Sequence, residues 1–295
     1  MDLSELVFRR LEGDDELVSR LAKFSDQPAI FNTSFPNDQS PGWGGKTQYP
    51  RIEYNFTMEV DPKRNSSGNL RVMIYTEWNP ILSAELENLI RRNLLDVLMK
   101  PSGKAPFCVA WRSSNAFQIE GMSVICKEVD FDVLEYPGQI TTDPDPVVTL
   151  SQYIRNLFPD DLVLGTERIS DYTIPAERPI WYCRLETIAS ADGILKGQVS
   201  WYEASIAVHL LCPDQRIRLS MAAALEQKLN LDGEIIMVDD SPMKIRKTVM
   251  SNRADYLREG QLTVTCYFGV LKDVAAKHKL VGWYITDDTW ANTTN

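Results

Sequence analysis

The chain has 295 residues, and its 31 Lys and Arg against 41 Asp and Glu give a formal net charge of -10 at pH 7. This length exceeds a typical domain of about 100–150 residues, which predicts two domains, and a hydrophobic fraction of 44% excludes a disordered chain. The acidic balance argues against a groove for DNA or RNA phosphates, and no apolar run approaches the roughly 18 residues that span a bilayer.

The N-terminal segment predicts two short helices. Leu3, Leu6, Val7 and Leu11 recur at helical spacing, and Asp14 can cap a second helix. The segment has neither the apolar core nor the cleavage site of a signal peptide. We therefore expect a protein that is made in a cytoplasm and stays there.

The rest of the first half changes from helical to strand periodicity and back. Residues 28–50 contain several prolines and predict a long loop, after which apolar and polar residues alternate from Arg51 in a hairpin. Ser83 is expected to open an amphipathic helix, and strands are expected at 107–111 and 122–134. The predicted order is α-β-β-α-β-β.

The second half repeats this order after a proline-rich stretch at 137–146, which is typical of a linker. Asp214 is the expected cap of its long helix. The predicted elements are a helix over 148–157, a hairpin of 180–188 and 199–211, the helix that follows Asp214, and strands at 234–238 and 261–271.

Matching elements are displaced by about 130–140 residues, which indicates an internal duplication. The stretch YPRIEYNF corresponds to RPIWYCRLE, and GMSVICKEVDFDVL corresponds to GQLTVTCYFGVL. The expected fold class is α+β, with two similar domains that each pack an antiparallel or mixed sheet against helices. The expected divisions are a domain at 1–136, the linker at 137–146, a second domain at 147–272 and an aromatic arm at 273–295.

The C-terminal arm carries large apolar residues outside either repeat. Trp283, Tyr284, Ile285 and Trp290 are more than a merely disordered tail usually holds. Since buried Trp and Tyr are common anchors of interfaces, we expect the arm to dock on its own chain or on a neighbour. Trp43, in the glycine-containing loop, is a further candidate for a subunit contact.

The stretch SPGWGGKT resembles the end of a phosphate-binding loop at Gly45, Lys46 and Thr47. That motif requires a glycine where Ser40 stands, a strand before the loop and a helix directly after it. Thr47 is instead followed by a proline and a predicted strand, so no helix N-terminus is expected to receive phosphate. We interpret the segment as a flexible glycine loop at a subunit contact or at the surface.

The remaining reactive residue types predict structure more than chemistry. His209 falls inside a strand, where a satisfied structural histidine is the favoured interpretation. Paired aspartates lie at predicted turns and helix ends, where Asp commonly caps or is solvated. The cysteines sit in apolar stretches without metal-ligand spacing and are expected to be buried free thiols. They are Cys108, Cys126, Cys183, Cys212 and Cys266. No catalytic residue, cofactor or metal site is predicted.

The first half, over roughly residues 1–135, resembles the tail-terminator or tail-completion proteins of long-tailed bacteriophages and their tail-derived relatives. The resemblance lies in a leucine-patterned N-terminal helix (LSELVFRRLEGDDELVSRL), a proline-bearing loop that enters the first strand (FPNDQSPGWGGKTQYPRIEYNF) and a strand that leads into a long amphipathic helix (LRVMIYTEWNPILSAELENLIRRNLLDVL). The usual family member has one such domain, so the second copy and the arm are departures.

The resemblance implies a virion protein without enzymatic activity, assembled in the bacterial host cytoplasm. It implies self-association into a ring, usually of six subunits, that stops growth of the tail tube and meets neck, head or sheath proteins. Such a ring needs heterologous contacts. An acidic lumen would let DNA pass without specific binding, and no membrane is involved.

Two other hypotheses stay open at this point. The protein is a collar, sheath-capping or baseplate component of a contractile tail-like particle, or it binds a small molecule or acts as an enzyme at a site between its domains. The last hypothesis predicts a deep pocket in which Asp, Glu or His groups converge with perturbed pKa values.

Overall fold

The computed structural model describes residues 1–191 and 199–271, and it confirms an α+β fold. Among these residues lie five helices, fifteen strands and a short 3-10 helix at Pro41–Trp43. The helices are α1 Leu3–Glu12, α2 Asp15–Arg20, α3 Pro80–Leu94, α4 Pro146–Leu157 and α5 Gln215–Asp232. No helix of the described residues is long and apolar enough to cross a membrane.

The strands of the first half are mostly short except for two hairpins. They are β1 Lys23–Phe24, β2 Gln27–Pro28, β3 Ile30–Asn32, β4 Arg51–Thr57, β5 Gly68–Glu77, β6 Leu98–Met99, β7 Phe107–Gln118 and β8 Val124–Glu135. The strands of the second half are β9 Leu162–Val163, β10 Tyr172–Thr173, β11 Ile180–Ser190, β12 Val199–Leu211, β13 Glu234–Ile236, β14 Pro242–Met250 and β15 Leu262–Leu271.

Aspartates and one asparagine cap all five helices. Asp14, Asp145 and Asp214 each accept hydrogen bonds from backbone N–H groups of the first turns of α2, α4 and α5. These side chains satisfy donors that have no partner inside a helix. The predicted caps at Asp14 and Asp214 are therefore confirmed. The α3 helix begins at Pro80 and not at Ser83, because Asn79 caps it and Pro80 suits the first helical position.

The two main sheets have the same strand order. The first runs β10-β6-β7-β8-β5-β4-β3, and the second runs β13-β14-β15-β12-β11-β9. Apart from β10 at one edge, each strand of the first sheet has its counterpart in the second. At the other edge, β3 pairs in parallel with β4, and β9 pairs in parallel with β11. We call residues 1–136 the first unit and residues 147–271 the second unit.

Local features recur at matching positions of the two units. Pro50 and Pro179 directly precede β4 and β11. Arg112 forms a β-bulge in β7 where this strand pairs with β8, and Arg246 forms one in β14 where this strand pairs with β15. Because a bulge adds an unpaired residue at a defined place, its recurrence supports the correspondence of β7 with β14 and of β8 with β15. This shared topology supports the duplication inferred from the sequence.

The sequence prediction missed β14 and the short strands β1, β2, β3, β6, β9 and β10. In β14, Met243 and Ile245 face the core while Lys244 and Lys247 lie on the exposed face. The bulge at Arg246 interrupts the alternation that would have identified a strand. With β6 and β14 included, each unit has three strands after its long helix.

Each unit has its own apolar core between the sheet and its helices. In the first unit, α1 and α3 pack Leu6, Leu11 and Leu86 against β4, β5 and β8. In the second, α4 and α5 pack Leu150 and Leu225 against β11, β12 and β15. The helices cover one face of each sheet, so the opposite face of each sheet is open to other contacts.

Candidate assembly surfaces

A third apolar cluster joins the two units through their open sheet faces. The first unit contributes Cys108 and Tyr136 from the β6-β7-β8 side of its sheet, and the second contributes Ile180, Tyr182 and Leu211 from the β9-β11-β12 side of its own. The two sides are not counterparts of each other. The contact between the units is therefore heterologous, meaning that each unit uses a different part of the shared fold.

An ion-pair network closes one end of this contact. The Asp132 carboxylate of the first unit, which is almost fully buried, accepts hydrogen bonds from Arg64 at 2.6 Å and from Arg258 of the second unit at 2.8 Å. Burial by itself would raise the pKa of Asp132, but the hydrogen bonds from the two guanidinium groups outweigh it and the pKa is lowered. Arg258 Nε also donates to the Arg64 carbonyl at 3.1 Å.

His209 lies inside the same contact and is fully buried. Its ring lies 5.5 Å from that of Tyr182 and 6.2 Å from that of Tyr136, and its Nδ1 is 3.3 Å from the Tyr256 carbonyl. Its Nε2 has no hydrogen-bond partner among the described residues. Burial lowers the pKa of His209 to about 4. The sequence predicted a satisfied histidine, and the structure satisfies only one of its two nitrogens.

The cysteines are buried, and two of the paired aspartates make structural hydrogen bonds. All five cysteines are buried free thiols, as expected, and burial raises the pKa of Cys266 to about 12. Asp161 accepts a hydrogen bond from the Trp181 indole at 2.7 Å, and Asp239 from Ser241 in a turn. Among the described residues, no group of three His, Cys, Asp or Glu side chains is placed to hold a metal ion.

A cleft of about 560 Å³ lies beside the contact between the units. Two of its charged groups are engaged: Glu167 binds Arg178 at 3.0 Å, and Lys100 donates to backbone carbonyls of Pro101 and Lys104. Gln139 accepts from the Leu185 backbone N–H. The residues that line this cleft include one carboxylate and no histidine, so the convergent acids expected of an inter-domain active site do not occur here.

Trp43 is 3% exposed and packs within its own loop. Its ring makes edge contacts with Phe24 at 5.0 Å and Phe31 at 6.0 Å, and its Nε1 donates to the Asn37 carbonyl. Gly42 allows this packing, because a Cβ there would lie 2.5 Å from the Phe24 ring. The indole itself therefore anchors the loop, and a role of this loop at a subunit contact stays a prediction.

The glycine loop after Trp43 leads into a strand. Gly44 and Gly45 have φ of 61° and 69°, and Thr47 Oγ1 lies within hydrogen-bond distance of Glu77 at the end of β5. The chain then enters β4 at Arg51. The predicted absence of a following helix is confirmed, so the segment lacks the helix N-terminus that holds phosphate in a phosphate-binding loop.

Arg51 fixes the long loop to the open face of the first sheet, which the sequence reasoning missed. Its guanidinium lies 3.6 Å from the Phe35 ring centre and 4.8 Å from that of Tyr49, and it pairs with Asp38 at 2.8 Å. Cation-π contacts with desolvated Arg stabilise by up to about 2 kcal/mol. The signal in the sequence was an arginine directly after an aromatic-proline pair, but the pattern does not specify which aromatics surround it.

Several large apolar side chains are exposed on the described residues, and two groups of them lie at corners of the two sheets. The first-unit patch consists of Trp78, Ile81 and Met122, which are 62%, 73% and 48% exposed. The Trp78 backbone N–H donates to Ser123, next to Met122, so the patch lies at the end of the sheet that also holds the glycine loop. Such exposed apolar groups mark interaction surfaces when they are contiguous.

The second-unit patch consists of Ile236, Val238 and Leu271, which are 58%, 71% and 71% exposed. It borders a hollow of about 250 Å³ whose lining includes Trp201 and Gly269. The predicted arm residues Trp283, Tyr284, Ile285 and Trp290 lie outside the described residues, and their role stays a prediction.

No protein-family model matches the chain, and no curated protein matches it. Among solved structures, a chain from the virion of a native gene transfer agent particle is similar with a TM-score of 0.33 and 10% sequence identity. The similarity covers 45% of this chain and 92% of that chain. A likeness at this level does not assign a function.

Proposed function

We propose that the protein is a structural component of a phage tail or tail-like particle. It forms a ring that caps the tail tube and connects it to the neck, head or sheath, and it does so without catalysis or a cofactor. The proposal rests on the resemblance of the first unit to tail-terminator proteins and on one structural observation. The two units of the chain already meet through a heterologous contact.

A heterologous contact repeated between chains generates a closed ring or an open filament. In either case a surface on one end of each chain must meet a different surface on the other end. The first-unit and second-unit patches supply one exposed apolar surface on each unit. This arrangement fits an assembling protein better than an enzyme, because the cleft between the units holds no convergent acids.

Electron microscopy of the purified chain, alone and mixed with tubes of its tail tube protein, tests the proposal. We expect rings with an open centre and their attachment to one end of the tubes. A chain that stays monomeric and never joins tubes would contradict the proposal. Locating the protein along intact particles separates this role from a collar, sheath-capping or baseplate role, and a position at the distal end rules out termination of the tube.

A further inference from the structure

The second-unit patch lies on the part of the second sheet that corresponds to the region of the first sheet that the second unit covers. In β6, Leu98 stands between the core residues Val97 and Met99, and Ile236 stands in the same way between two core residues after α5. Leu98 is fully buried in the contact between the units, whereas Ile236 is 58% exposed. The same position is therefore covered in one unit and open in the other.

The C-terminal ends of the corresponding strands β8 and β15 differ in exposure in the same way. Tyr136 directly follows β8, and Leu271 is the last residue of β15, which is the counterpart of β8 in the second sheet. Tyr136 is 3% exposed under the second unit, and Leu271 is 71% exposed. The hollow beside it is kept open by Gly269, where a Cβ would lie 2.7 Å from Val199.

The positions of the first unit that match the second unit's side of the contact identify the surface on which the second-unit patch would dock. Ile180 and Tyr182, which the second unit uses in the contact, correspond to Arg51 and Glu53, and these lie beneath the loop of residues 33–50. The turn that carries Tyr256 and Arg258 corresponds to the turn at 119–123, which holds Met122 of the first-unit patch. The loop and the first-unit patch thus occupy the place from which the second unit docks.

The charges around the second-unit patch favour another copy of this chain as the partner. Lys244, Arg246 and Lys247 are exposed along β14 next to the second-unit patch, with Glu234 facing Lys244 across the strand pair. The chain as a whole has a net charge of -10. Such a local basic face is complementary to the acidic surface of another copy, and Glu77 lies beside the first-unit patch.

We propose that the second-unit patch docks on the first unit of another copy of this chain, at the loop of residues 33–50 and the first-unit patch, in a head-to-tail contact that repeats the geometry of the contact inside the chain. The inference rests on the proposed assembly function and names the faces that carry it. It makes the chain both the donor and the acceptor of one type of contact.

Mass measurement of the full chain by sedimentation velocity tests the docking. We expect the wild type to form species larger than one chain, and Ile236→Glu and Trp78→Ser each to shift the population to the 33.6 kDa monomer. The matched control is Ile140→Glu, which places the same charge at a side chain that is 99% exposed away from both patches. It should keep the wild-type mass, and all variants should keep the wild-type circular dichroism.

Mixing the two defective variants separates a heterologous contact from a symmetric one. Ile236→Glu retains the first-unit surface and Trp78→Ser retains the second-unit surface, so the mixture should form a complex of two chains and nothing larger. A monomeric wild type, or an Ile236→Glu chain with the wild-type mass, overturns the inference. If rings still form on tubes in that case, the proposed function stands with other faces.

The arm is the other occupant that the test distinguishes. If residues 272–295 of the same chain cover the second-unit patch, Ile236→Glu leaves the mass unchanged, and a chain ending at residue 271 shows faster hydrogen exchange in residues 234–244 than the full chain. That result assigns the patch to the arm and overturns docking of a second copy.

Discussion

Single residues decide how the two units are held together. His209 is a residue of a common type in a strand, and the sequence identifies it as structural. Its position between Tyr136 and Tyr182 is visible only once both units are folded. The unpaired Nε2 and the lowered pKa follow from burial inside a contact whose two sides are far apart in sequence.

His209 predicts a pH-dependent stability. Its pKa is about 4 in the folded chain against a usual value of 6.5, so between these values the unfolded chain binds a proton that the folded chain excludes. Stability from this source is complete above pH 6.5 and is lost as the pH falls towards 4, by about 3 kcal/mol in total. Urea unfolding of wild type and His209→Gln between pH 7 and 4 measures it.

We expect His209→Gln to lose this part of the pH dependence, whatever its stability at pH 7. The comparison variant is His278→Gln, at the other histidine of the chain. This variant should keep the pH dependence of the wild type. Identical pH profiles for wild type and His209→Gln would show that His209 does not titrate with the transition.

The sequence predicted most of the helices and the long hairpins, because these depend on residues that are close together in the chain. The helices of the first 25 residues, the hairpins and the caps at Asp14 and Asp214 follow from periodicity and capping residues close in sequence. Strand β14 was missed because a bulge and its lysines break the alternation. The two-residue strands were missed because they form only where a neighbouring strand already lies.

The cap of α5 gives a prediction about a single helix. Asp214 Oδ1 accepts from the Arg216 and Ile217 backbone N–H groups at 2.7 and 3.2 Å. We expect Asp214→Ala to lower the free energy of unfolding by about 1 kcal/mol, since two donors lose their partner. Asp214→Asn, which keeps an acceptor oxygen, should retain most of the stability in urea unfolding. An Asn variant as unstable as the Ala variant would argue against capping as the cause.

Across the described chain, the duplication produces two similar units joined by unlike faces. A sequence repeat predicts similar folds, but it does not predict which faces meet. Here β10, from the stretch assigned to the second half, also adds to the first sheet by pairing with β6. The proposed domain boundaries therefore describe repeats of the fold, while one sheet draws strands from both halves.

The buried carboxylate between the units should be essential for this joining. Asp132→Asn leaves Arg64 without its charged partner and leaves Arg258 with Asp255 alone. Breaking a fully buried ion pair costs roughly 3–5 kcal/mol, and we expect a loss near the lower end of this range because both guanidinium groups are partly exposed. The control is Asp130→Asn on the same strand, whose partner Arg71 is exposed. It should cost under about 1 kcal/mol in chemical denaturation. Equal losses for the two variants would contradict a special role for Asp132.

Composition and local pattern were sufficient to establish the α+β class, the repeat, the buried thiols and most helix and hairpin positions, because these depend on residues within one or two turns of each other. Packing in three dimensions established the burial of Trp43, the cage around Arg51, the Asp132 network and the choice of faces between the units. Those features join residues separated by several to nearly two hundred positions, and no local pattern encodes such distances. They also determine which apolar surfaces remain exposed, and the proposed assembly depends on those surfaces.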